Sequence, residues 1–315
     1  MKIYFPIFDS RENKSKEFRL IKEGLEFHPN ITLVKKIDQC DYIILMSSHF
    51  DDPIYGEEFQ KIHKQYAEIT IFLDFSDWAS GIWKRELING KPFNWKLYFK
   101  RSIVDKNDEI NQLRNYQDLK IINISYGCKL NFFPETIHFD RDRHIDISYL
   151  FNEGYTTCPY NKKCRGKVYT FLKNKSFENL NTYFKMPSQN STVGRSKECA
   201  TYFNTLRSSK IVITCNPDMW EGDSRLWEAM SSGCLVFVDK MLTPIKNPLI
   251  DGEHLIYYDL SIDGLDKLYE KIIYYVKHDN ERIKIAKKGF EFVKKYHTSI
   301  KRIDHILDEI KKMDQ

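Results

Sequence analysis

At 315 residues the chain is longer than a single core usually grows, which points to two domains of roughly 150 residues each. Its hydrophobic fraction of 42% and aromatic fraction of 14% support packed cores and exclude bulk disorder. The net charge of +5 is spread through Lys-rich segments interleaved with Glu and Asp, the pattern of a solvated surface that also tolerates phosphate-bearing ligands.

Taken in chain order, the first half alternates strands and helices. KIYFPIF (2–8) reads as a strand, SKEFRLIKEGLEF (15–27) as a helix, ITLVKKI (31–37) as a strand and DYIILMSS (41–48) as a buried strand. GEEFQKIHKQYAE (56–68) reads as a helix, ITIFLDF (69–75) as another buried strand, and KLYFKRSIV (96–104) and KIINISYG (120–127) as further strands. Such alternation implies a parallel sheet with helices on its faces.

Residues 138–165 lose this rhythm and gather charge, Gly and Pro, so the interdomain junction is expected there, as a linker whose acids and bases pair locally. His138, His144, Asp140 and Asp142 of that stretch also admit a metal cluster, the weaker reading. Cys158 and Cys164 allow half a metal site or a disulfide, but no second Cys/His pair of zinc-like spacing lies nearby. Most of the seven cysteines sit in apolar segments and read as reduced thiols. No apolar run reaches the roughly 20 residues of a spanning helix, and MKIYFPIFDSR lacks a signal-peptide core, so a cytoplasmic protein is expected.

A second α/β unit follows. It comprises VYTFLKNK (168–175), a helix in ECATYFNTLRSS (198–209), a buried strand in KIVITCNP (210–217), a short helix in SRLWEAMSSG (224–233) and a strand in CLVFVD (234–239). Three amphipathic helices over residues 263–278, 280–297 and 299–313 close the chain. No internal repeat or Gly/Ser linker interrupts it.

Residues 211–258 carry the chemistry. A buried strand ends at Asn216 and Pro217, a polar loop follows, and a helix begins near Ser224, its free N–H groups facing outward where an anion such as a diphosphate would bind. Asp223 or Ser224 is the expected N-cap. Arg225 in the first turn runs against the helix dipole, an inconsistency of the kind functional sites produce, and would reach the same phosphates. Glu228, one turn on, suits a ribose diol. The same residues also fit a plain cap followed by an exposed Arg225–Glu228 pair.

In the first half, Asp74 and Asp77 stand at the carboxyl edge of a buried strand and are the candidates for a general base, although Asp there also forms turns. Lys100, Arg101 and Ser102 are similarly placed and read equally well as a solvated loop.

The segment 216–233, with Asn216-Pro217, then Arg225-Leu226-Trp227-Glu228-Ala229 and Ser231-Ser232-Gly233, resembles the C-terminal domain of GT-B glycosyltransferases, particularly the CgeB-like group. DGEHLIYY (251–258) and a tail carrying His297, Thr298 and Arg302 extend the likeness, which covers roughly residues 196–303. It implies an α/β protein of two Rossmann-like α/β/α domains facing a cleft, with a C-terminal helical tail. The expected divisions are 1–155 for the acceptor side, 156–290 for the nucleotide sugar and 291–315 for a helix packing back on the first domain.

The resemblance further implies an enzyme that moves a sugar from a nucleotide-diphosphate sugar to an unidentified glycan, lipid or protein, without a metal or other cofactor. Under it Glu228 binds the ribose, Gly233 closes the helix, and Arg165 and Lys185 face the donor diphosphate, completing a donor set with Asn216, Asp223, Ser224 and Arg225. The Glu-x7-Glu pair of many retaining relatives is missing, since Trp220 stands eight residues before Glu228 and Glu221 seven. The rivals are a non-catalytic binding protein of the same fold and a glycosyltransferase acting on nucleic-acid bases; no Arg-rich stripe favours the latter.

Overall fold

The computed structural model describes residues 1–6, 15–46, 61–62, 64–75, 95–101, 121–140, 143–150, 164–185, 200–216, 223–241, 243 and 245–315. The chain divides into two compact units, one of residues 1–125, 243–246 and 299–315 and the other of residues 126–242 and 247–298.

The first unit is built on six parallel strands: β1 (Lys2–Tyr4), β2 (Thr32–Val34), β3 (Tyr42–Met46), β4 (Thr70–Asp74), β5 (Leu97–Lys100) and β6 (Ile121–Asn123), in the order β2-β1-β3-β4-β5-β6. The central strands β3 to β5 are mostly apolar, as strands covered on both faces are, and every residue of β4 is buried. Ile43, Leu45, Phe72, Trp95 and Tyr98 form one apolar cluster, with Phe72 stacked on Trp95 at 5.7 Å.

Helix α1 (Lys16–Phe27) starts where the Ser15 hydroxyl accepts from the Phe18 amide, and it packs against the last helix of the chain. Gly24 permits that contact, since a Cβ there would sit 2.5 Å from the Ser299 carbonyl oxygen. Ser299 donates to Glu23 at 2.6 Å and His28 meets Asp304 at 2.9 Å along the same seam.

The second unit holds five parallel strands: β7 (Ile145–Leu150), β8 (Thr182–Lys185), β9 (Ser209–Ile213), β10 (Leu235–Asp239) and β11 (Ile256–Tyr258), in the order β8-β7-β9-β10-β11. Its helices are α2 (Cys164–Lys173), α3 (Ala200–Arg207), α4 (Ser224–Ser231), α5 (Ile262–Lys277) and α6 (Asp279–Tyr296). Ile147, Val168, Ile211, Phe237, Leu268 and Ile285 bring β7, α2, β9, β10, α5 and α6 into one core. The last helix, α7 (Ser299–Met313), belongs to the first unit.

Two boundaries differ from those drawn on composition. The described part of residues 138–165 is not a linker: it contains β7, which pairs with both β8 and β9 inside the second sheet. The charges that hid it are partly structural. Arg143, only 6% exposed, donates to the carbonyls of His138, Ser209 and Ser232, and Asp146 pairs with Lys210 at 2.7 Å. The tail division at 290/291 falls inside α6, and the chain passes between units at 298/299 instead.

Candidate donor site

Each sheet reverses its strand order once, and open α/β sheets bind ligands in the crevice beyond the carboxyl ends of their strands at that reversal. In the second unit the reversal lies between β7 and β9, so β7 and β9 with the helices that follow them define the place. Here α2 follows β7 and brings Arg165, while β9 leads through Asn216 to α4.

Asp223 is the hub. Its Oδ1 accepts from the amides of Arg225 at 2.8 Å and Leu226 at 3.3 Å, which caps α4. Its Oδ2 accepts from Arg165 Nη2 at 2.6 Å and Arg225 Nη1 at 3.1 Å. Arg165 also donates through Nε to the Cys215 carbonyl at 2.9 Å, and its own carbonyl accepts from Tyr149. Asn216 accepts the Asp223 amide on Oδ1 at 3.2 Å. Two guanidiniums therefore converge on one carboxylate at the positive end of a helix.

All of α4 is buried, including Arg225 at 3% and Glu228 at 1% exposure, which excludes the exposed Arg–Glu pair. Among the described residues Ser224 Oγ, in the first turn of α4 on a residue 6% exposed, has no hydrogen-bond partner. A buried donor left without a partner costs about 1–3 kcal/mol, so such an atom beside two guanidiniums marks a place where a ligand completes the set. Glu228, one turn in, accepts from the hydroxyl of Tyr202 on α3 at 2.6 Å. Trp227 anchors the helix by stacking on His297 at 4.6 Å.

Asn216, Asp223, Ser224, Arg225 and Arg165 thus come together as the sequence pattern proposed, with Glu228 on the same helix. Gly233 closes α4 as expected, its φ of 75° packing it against Arg143 at the end of the helix away from Asp223. Lys185 ends the edge strand β8, exposed, with its ammonium 4.7 Å from the Tyr183 ring centroid rather than on the Asp223 cluster.

Asp74, in the first unit, is fully buried, accepts from the Tyr98 hydroxyl at 2.6 Å and lies 3.7 Å from the Lys100 ammonium, so it is a core ion-pair member rather than a base open to substrate. Lys100 and Arg101 are buried with it, not solvated. Asp77, Ser102, Asp142, Cys158, Pro217, Trp220 and Glu221 lie outside the described residues. Cys164 is a buried core thiol. His138, Asp140 and His144 are exposed, and among the described residues no three His, Cys, Asp or Glu side chains are grouped to hold a metal. Among the same residues no helix is long and apolar enough to cross a membrane.

Two site residues escaped the sequence reading. Tyr202 gave no signal, being one aromatic among many. Asp239 did: CLVFVD ends on an acid at the carboxyl edge of β10, as FLD does in β4. Asp239 is 2% exposed and accepts the Asn216 amide at 2.7 Å; burial pushes its carboxyl up to about 6, against the pull of Asn216 and Arg165. Burial likewise holds Tyr149, Cys215 and Tyr258 well above their usual values, so these stay neutral.

Comparison with known proteins bears on the fold. Residues 166–308 match the family model described as "Glycosyl transferase-like", a general description that does not name the CgeB-like group. No curated protein sequence matches the chain. Among solved structures, a glycosyltransferase from Rickettsia africae is similar at a TM-score of 0.53 and 13% identity, over 100% of this chain and 98% of that one. The Anabaena protein HepE, in complex with UDP and glucose, is similar at 0.56 and 11%, over 99% and 100%. An alpha-glucosyltransferase bound to UDP-glucose and DNA containing an abasic site is similar at 0.57 and 11%, over 98% and 90%. At these identities the likeness carries the fold. Of TarM, a longer protein, the chain spans 54%. Residues 166–308 are thus similar to the glycosyl transferase-like family, and the chain has the two-domain fold of these glycosyltransferase structures.

Proposed function

We propose that the chain transfers a sugar from a nucleoside-diphosphate sugar to an acceptor hydroxyl without a metal ion, with the diphosphate held at the N-terminus of α4. The observation that carries this reading is the buried, unpartnered Ser224 Oγ in the first turn of α4, in the cluster that also gathers Arg165 and Arg225. In the transfer the bond between the anomeric carbon and the β-phosphate oxygen breaks, the acceptor oxygen takes its place and releases its proton, and the diphosphate leaves with one further negative charge spread over its terminal phosphate oxygens. Fixed guanidiniums and helix N–H groups do that without reorganisation, the task a divalent cation performs elsewhere. Glu228 receives the ribose hydroxyls, as an acceptor-only carboxylate suits a vicinal diol.

The donor class is supported by fold neighbours captured with UDP and UDP-glucose. The acceptor is a glycan, lipid or protein. The test is nucleotide release from UDP-, GDP- and dTDP-sugars in EDTA, with and without mixed glycans. Release of one nucleotide, lost in Arg225→Ala, supports the reading; no release and no binding of any of them returns the chain to a non-catalytic role.

A nucleic-acid acceptor is the second reading, favoured by the net charge of +5 and by the neighbour solved with DNA. It requires DNA binding that weakens steeply with salt, and retention at no salt concentration would remove it.

A further inference from the structure

We infer that Asp239 is a positioning residue of the donor site: through Asn216 it sets where the Asp223 cluster presents its donors to a diphosphate. This rests on the diphosphate reading above.

The ladder between β9 and β10 ends where the Thr214 amide donates to the Phe237 carbonyl at 2.7 Å. Two residues on, the backbone of β9 has left the sheet, and the Asn216 amide finds a side chain instead of a strand: Asp239 Oδ1 at 2.7 Å. The carboxylate therefore fixes the residue at which the chain turns toward α4. Asn216 passes that constraint on, because its Oδ1 takes the Asp223 amide at 3.2 Å. Asp223 then holds the α4 amides on one oxygen and Arg165 and Arg225 on the other. Three links in series run from the end of β10 to the guanidiniums.

An aspartate is a costly way to end a strand. At 2% exposure, with the buried hydroxyls of Tyr149 and Tyr258 and the Cys215 thiol around it, its ionised form lacks water, and burial pushes the carboxyl up. Neutral side chains would end the strand more cheaply, and a local choice that opposes stability beside a ligand crevice points to a task there. Anchoring Asn216 is a task that needs only an acceptor at that position.

The test is calorimetric titration of inorganic pyrophosphate, which carries the part common to every nucleoside-diphosphate donor, into wild type, Asp239→Ala and Asp239→Asn, with melting temperatures measured alongside. The alanine variant removes the acceptor and is expected to bind at least about tenfold more weakly; the asparagine variant keeps it and is expected to stay within about threefold of wild type. If alanine prevents folding, Asp239→Leu fills the volume without an acceptor and takes its place. Binding by the acceptor-less variant within threefold of wild type, or equal losses in both variants, overturns the inference and leaves the diphosphate reading standing. Absence of pyrophosphate and nucleotide binding by wild type overturns both.

Discussion

Tyr202 donates its phenolic hydrogen to Glu228 at 2.6 Å, tying α3 to α4, the helix whose N-terminus is the proposed diphosphate site. A 1%-exposed carboxylate needs such partners, and this one fixes one oxygen of the group assigned to the ribose. Removing the hydroxyl in Tyr202→Phe is expected to weaken binding of a ribonucleoside diphosphate about three- to tenfold, from the roughly 1 kcal/mol of one hydrogen bond, while pyrophosphate affinity stays unchanged. Parallel titrations with the cognate nucleotide and with pyrophosphate check it. Equal losses for both ligands would mean that the pair only supports the helix.

Gly233 carries a different load. At φ 75° a Cβ would lie 2.8 Å from Arg143 Nη2 and closer still to Ile137 Cδ1, so Gly233→Ala combines a disfavoured backbone with overpacking against a buried arginine. A loss of about 2–4 kcal/mol in urea unfolding is expected. A variant as stable as wild type would show that Arg143 has room to shift.

The carboxyl of Asp239 makes stability depend on pH with a defined sign. Its folded value of about 6 lies above the 3.8 of an ordinary aspartate in the unfolded chain, so between the two the folded state binds more protons and stability falls as pH rises through that window. Asp239→Asn, which cannot ionise, is therefore expected to stabilise the protein at pH 7.5 by up to about 3 kcal/mol, a gain that shrinks as the pH falls from 6 toward 4. Melting curves of both proteins across pH 4 to 7.5 test it, and parallel curves with no change in separation would contradict it.

Asp74 is expected to behave as a structural residue. Asp74→Ala strips the Tyr98 hydroxyl and Lys100 of a fully buried partner and should cost about 3–5 kcal/mol, the range for breaking a buried pair. Denaturant unfolding measures the loss. A stable but inactive Asp74→Ala protein would restore the catalytic assignment that burial argues against.

Much of this was legible in the sequence because the signals were local. Apolar runs such as YIILM, TIFLD and LVFVD announced buried parallel strands, and the Asp-Ser-Arg start of α4 announced a capped helix beside a crevice. What failed depended on partners far along the chain. β7 was hidden by the charges around it, whose role appears only when Arg143 meets carbonyls 66 and 89 residues away. Asp74 looked like a strand-end base until Tyr98 and Lys100, on the neighbouring strand, enclosed it. The site followed the same rule: Ser224 and Arg225 declared themselves in one turn, while Tyr202 and Asp239 join it only through the packing of α3 and the pairing of β10.

The proposed donor site binds a diphosphate at the N-terminus of α4 on fixed protein cations. Its most direct test is isothermal titration of UDP, GDP and dTDP into the protein in EDTA and then in manganese, repeated with Arg225→Ala. The account predicts binding of one nucleotide in EDTA, little changed by manganese and weakened at least about tenfold by the substitution, the effect of losing a charge-assisted contact. Binding that appears only with manganese, or that Arg225→Ala leaves intact, would contradict it.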